Sequence, residues 1–194
     1  MNQNDTETSQ LSIADFTQDY NECKGCEKGI KYCKRPCWPT PQEVRNLMNA
    51  GYGDRLMLDM WGRTVSGGGH IFIIAPATPG CEGTYSPDGE FLSLDEEEFN
   101  ELAAREPMKV MAFMMKEMKG MLTGDMSLLQ GCNFQSEEGL CELHNLGLKP
   151  FEGKKSCCKV KDSGIGLHSA VAQSWDSEEG REVVKEWKEK HFKS

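Results

Sequence analysis

"CKGCEKGIKYCKRPCWPTPQE", residues 23 to 43, packs Cys23, Cys26, Cys33 and Cys37 into fifteen positions and then turns directly into a helix start. Thr40 suits the capping position, Pro41 the first helical position, and Glu43 closes a capping box. Val44, Leu47 and Met48 follow at helical spacing, and Gly51 and Gly53 end the run. A thiol-rich loop therefore feeds a well-signalled amphipathic helix. Five cations, Lys24, Lys28, Lys31, Lys34 and Arg35, lie in or beside that loop. They offset the charge that a cluster of thiolates would carry; a docking patch for an acidic partner is the other reading.

The thiols are expected to bind metal rather than to pair. With 194 residues the chain is long enough to bury a core without disulfide staples. Its first twenty residues are polar and acidic, with no apolar run of the kind a secretory signal needs. No stretch reaches the roughly 18 apolar residues of a membrane span. A cytoplasmic setting is expected, where thiols stay reduced, and the cysteine count of nine is odd. The net charge of −9, from 22 basic against 31 acidic residues, argues against nucleic acid as a partner.

Residues 1 to 20 read as a flexible arm in which only Leu11, Ile13 and Phe16 can pack. After the first helix, Leu56, Met57, Met60 and Trp61 suggest a second, short one. Ile71 to Ile74 form a β-rich apolar run and predict a strand. The preceding triple glycine lacks the residues that make a phosphate loop, so it reads as a turn, with His70 a turn residue rather than a ligand. Ser93 and Glu96 repeat the capping pattern ahead of Phe99 and Leu102, and Pro107 starts another helix. Along it Met108, Met111, Met115, Met118 and Leu122 recur at spacings of three and four. That period predicts an apolar face packed on the domain rather than a copper site. If the face is exposed, it reads as a partner-binding surface. Asp176 to Lys190 predicts a terminal amphipathic helix with Val183, Val184 and Trp187 on one side.

The second cysteine block is "GCNFQSEEGLCELHNLGLKPFEGKKSCC", residues 131 to 158, with Cys132, Cys141, Cys157 and Cys158. Loops can aim several sulfurs at one centre, and soft or borderline metals bind sulfur tightly. No standard spacing is met. Only Cys23 and Cys26 form a C-x-x-C pair, and the zinc ribbon, ferredoxin, deaminase and H-E-x-x-H patterns are all absent. His144 could complete a three-cysteine site or orient a neighbour, Cys81 could be a ligand or a small core residue, and vicinal Cys157 and Cys158 can hardly share one metal.

The order C-x2-C, further cysteines, TPQEV, C-x-F, G-L-C-x-L-H and L-K-P-x-E-G before a final cysteine pair resembles the YkgJ-like cysteine-cluster family of zinc- or iron-chelating domains. The resemblance spans residues 23 to 158. It implies metal binding through Cys23, Cys26 and Cys37 with Cys132, Cys141 and Cys157 or Cys158, and it supplies no reaction. Cys33 stands apart from the family's tight adjacent pair, and the Met-rich segment reads as an insertion.

The expectation is an α+β protein: a small, irregular, metal-stabilised domain, mostly helices and loops with a short strand pair at most. Residues 21–160 form its metal-binding part, interrupted by a helical insertion at about 93–126, and 161–194 a helical C-terminal segment. Its cofactor is zinc or an iron–sulfur cluster, held by Cys23, Cys26, Cys33, Cys37, Cys132, Cys141, Cys157 and Cys158. Zinc implies a structural or partner-binding role. A cluster opens redox or catalytic chemistry, including methyl transfer as in some enzymes related to the family. No signature for a nucleotide or S-adenosylmethionine is present, and no acid–base pair stands out.

Overall fold

The computed structural model describes residues 11–19, 36–62, 70–86, 101, 103–108, 111, 131–156 and 165–193. The fold is α+β. Its elements are α1 (Pro41–Asn49), β1 (Leu56–Gly62), β2 (His70–Pro76), α2 (Glu142–Asn145), α3 (Phe151–Lys155), α4 (Ile165–Trp175) and α5 (Glu178–His191), with 3-10 turns at Ile13–Asp15 and Gly53–Arg55. Among the described residues no helix is long and apolar enough to cross a membrane.

Helix α1 begins as its sequence dictates. Thr40 Oγ1 accepts the Glu43 N–H, and Glu43 Oε2 accepts the Thr40 N–H at 3.0 Å. The segment after it departs from expectation. Leu56 to Trp61 is strand β1, not a helix, paired antiparallel with β2 in the register Leu58↔Ile74 and Met60↔Phe72. Leu56, Met57, Leu58 and Met60 are all buried, so β1 carries buried residues on both of its faces. Without a wet face the alternation that marks a strand disappears, and spacings of three and four arise by chance. His70 accordingly opens β2 rather than sitting in a turn. The other edge of β1 is met by the loop after β2: Leu58 donates to Thr84 O at 2.9 Å and accepts from Ser86 N–H at 2.8 Å.

Helices α4, α5 and α1 pack on β2. The core they enclose is centred on Trp38, Trp175 and Trp187, each buried with its indole N–H satisfied. Trp38 donates to Asp59 Oδ2 at 2.8 Å, Trp175 to Pro39 O at 2.8 Å and Trp187 to Gly53 O at 2.9 Å. A buried indole left without an acceptor would cost about 1–3 kcal/mol, so these three bonds fix how the helices sit. The terminal helix appears as expected, with Val183, Val184 and Trp187 inward. Its Glu179, Glu182 and Glu186 reach Arg45 of α1.

Residues 11–19 lie along α4. Leu11 approaches Gly166, and the Lys155 ammonium holds Thr17 O at 3.0 Å and Asp19 at 2.7 Å. In the Met-rich stretch, residues 103–105 and 107–108 are helical on either side of 106. Met108 and Met111 are exposed, against the expectation of a packed face. An apolar period identifies a face but not what covers it. Met115, Met118 and Leu122 lie outside the described residues, as do the triple glycine and the cap at Ser93.

Candidate metal centre

Cys37, Cys132 and Cys141, one from the first cysteine block and two from the second, line a single pocket. Local hydrogen bonding places each of them. Cys37 leads into Trp38, whose N–H donates to Glu152 Oε2 at 2.6 Å and whose carbonyl accepts the Glu152 N–H at 3.3 Å. Cys132 is set against the end of β2 because the next residue, Asn133, donates its N–H to Ala77 O at 2.9 Å and its amide to Arg55 O at 2.9 Å. Arg55 returns a bond to the Asn133 carbonyl and rests on the Phe134 ring. From there a tight loop folds back through the antiparallel bridge between Gln135 and Cys141. Glu142 N–H to Phe134 O, 2.9 Å, and the buried Leu143 hold that return in place.

The pocket is completed by Lys149 and by the backbone of α3. Gly153 faces Cys37: a Cβ there would sit 3.4 Å from Cys37 Sγ and 3.1 Å from the Lys149 side chain, so α3 forms one wall beside the thiol. Burial pushes the Cys141 thiol above its ordinary value; the Leu143 N–H and the Lys149 charge offset this only in part. Any group that binds the Cys141 thiolate has to displace the proton that burial favours.

Cys37, Cys81, Cys132 and Cys141 carry no disulfide. Cys81 packs partly buried on the core, outside the pocket lining. His144 follows Cys141 on α2 but does not line the pocket either. Cys23, Cys26, Cys33, Cys157 and Cys158 lie outside the described residues, as do the five cations of the first block. Among the described residues no group of three or more His, Cys, Asp or Glu side chains is close enough together to hold a metal ion. Cys37, Cys132, Cys141 and Lys149 thus share one pocket lining without being grouped as metal ligands.

Sequence reasoning missed the polar framework behind the pocket. Glu152 Oε1 lies 2.7 Å from His168 Nδ1, and the His168 ring stacks on Trp38 with centroids 3.5 Å apart. His168 is only 6% exposed. The two form a part-buried, hydrogen-bonded pair that did not stand out in the sequence; Glu152 lies in the LKPFEG segment, while nothing local marks His168. No family model, curated protein or solved structure matches the chain.

Proposed function

We propose that this chain is a cysteine-ligated metal protein of the YkgJ-like kind, in which Cys37, Cys132 and Cys141 contribute to one centre joining the two cysteine blocks. The observation that carries the reading is their convergence on one pocket from positions about a hundred residues apart in sequence. The remaining ligands would come from Cys23, Cys26, Cys33, Cys157 and Cys158. Zinc and an iron–sulfur cluster share this donor chemistry, and on this reading the work of the centre is to hold the fold together or to present a partner-binding surface. The setting is a reducing one such as the cytoplasm, where thiolates remain available. The net charge of −9 supports a protein rather than a nucleic acid as partner.

The test is metal content and colour of anaerobically purified full-length protein. Stoichiometric zinc in a colourless sample, or iron with acid-labile sulfide in a brown one, supports the proposal and names the metal. A folded chain that retains no metal and takes up neither zinc nor iron with sulfide overturns it.

A further inference from the structure

We propose that the cleft between the start of β2 and α5 binds a small, flat, apolar carboxylate, independently of the cysteine pocket. Its volume is about 390 Å³, within the range of small-molecule sites. Ile71 and Phe72 of β2, Val184 of α5 and Trp175 at the end of α4 supply apolar lining. The Trp175 indole N–H is already engaged by Pro39 O at 2.8 Å, so these four side chains offer a ligand apolar contact and no hydrogen bond. Phe72 is 38% exposed against 7% for Ile71 beside it, which leaves ring surface for a ligand to cover.

The positive charge of the cleft comes from α5. Arg181, Lys185 and Lys188 follow at spacings of four and three, which puts them on one helix face. Two carboxylates line the cleft as well. Asp176 lies 3.6 Å from Arg181, so that pair offsets itself. Glu189 is exposed. Among the described residues neither Lys185 nor Lys188 forms an ion pair, and the Lys188 ammonium instead lies 5.0 Å from the Phe72 ring centroid and 5.6 Å from that of Phe192. A flat apolar anion meets both features at once: its ring covers Phe72, and its charge lies beside Lys188 and Lys185. The chain as a whole carries −9, so these two ammoniums, rather than the overall field, select an anion.

The experiment is equilibrium dialysis of the full-length chain against naphthoate at pH 7, beside the uncharged naphthamide. Naphthoate is expected to bind saturably with a dissociation constant of about 1 mM or tighter, and naphthamide more weakly. Lys185→Met with Lys188→Met keeps both aliphatic stems and good helix formers. It is expected to weaken naphthoate binding about fivefold or more and to leave naphthamide unchanged. Should the double variant fail to fold, either single one is expected to show a loss of about twofold or more. Phe72→Ala is expected to weaken both probes, since both rest on that ring. Lys154→Met also removes one positive charge, but its ammonium sits 2.7 Å from Glu43 of α1 and outside the cleft lining, so both affinities are expected to stay unchanged. No saturable binding of naphthoate, equal affinity for the two probes, unchanged naphthoate affinity without the two lysines, or an equal loss in Lys154→Met overturns the proposal. So does self-association of the chain over this face, seen as naphthoate affinity that falls as the protein concentration rises.

Discussion

The Glu43 carboxylate accepts the Phe151 N–H, 108 residues further on, at 2.8 Å while also closing the cap of α1, so one side chain serves two helix starts. The Lys154 ammonium lies 2.7 Å from its other oxygen. Glu152 reaches back the other way, from α3 to Trp38. Two carboxylates thus lace the segment after the first cysteine block to the segment before the last cysteine pair.

Glu43→Ala is expected to destabilise the chain by about 2–4 kcal/mol, since it removes a cap worth about 1 kcal/mol and leaves the partly buried Phe151 N–H unsatisfied. Lys154→Met removes only a partly exposed ion pair and is expected to cost less than about 1 kcal/mol. Urea unfolding of both single variants and the double variant measures the difference. A Glu43→Ala cost no larger than that of Lys154→Met would mean that the bond to Phe151 contributes nothing.

The corner between α4 and α5 admits no side chain at Gly180. A Cβ there would run into the Trp175 carbonyl and lie 2.8 Å from Trp175 Cα, all of it backbone that cannot swing aside. Gly180→Ala is expected to cost about 1–3 kcal/mol despite alanine's better helix propensity. A thermal midpoint equal to or above that of the parent chain would show that the corner opens freely.

The elements legible in the sequence are those whose signals are local. Thr40, Pro41 and Glu43 announce α1 by themselves, and Val183, Val184 and Trp187 mark the buried side of α5. Strand β1 was illegible because both its faces are covered, so Leu56 to Trp61 fits a helical period as well as a strand until Ile71 to Ile74 is known to lie beside it. The pocket was half legible: the cysteines drew attention to themselves, and the resemblance picked out LKPFEG. What the glutamates of TPQE and PFEG bind, and that His168 stands behind them, depends on hydrogen bonds between segments far apart in sequence, which carry no periodic or compositional trace.

Acid should release residues 11–19. The Lys155 ammonium, bonded to Asp19, holds that carboxyl below its ordinary value. Asp19 thus binds its proton less readily in the folded chain than in the unfolded one. The clasp is fully present above the ordinary aspartate value of about 4 and is lost as the pH falls through the lower folded-state value. Hydrogen exchange of the amides of residues 12–19 is expected to quicken relative to α5 below about pH 4, once the intrinsic pH dependence is removed. Asp19→Asn is expected to show the quick exchange already at pH 6. Equal protection in the parent chain and the variant at pH 6 would show that the segment is held by other contacts.

The last prediction concerns the number of centres. If Cys37, Cys132 and Cys141 serve one metal, each serine variant removes the same ligand sphere, and metal per chain falls equally in Cys37→Ser, Cys132→Ser and Cys141→Ser. The double variant Cys37→Ser with Cys141→Ser then loses no more than either single one. Two separate centres would instead give partial losses that add. The shared centre also closes a loop of about a hundred residues, and in the disulfide analogue closing such a loop is worth about 4–5 kcal/mol. A chelator is therefore expected to lower the unfolding midpoint of the whole domain, including the Trp187 fluorescence change that reports on α5. Cys81→Ser, outside the pocket, is expected to leave metal content unchanged. Stepwise loss of metal, or a chelator effect confined to the neighbourhood of one block, would divide the centre in two.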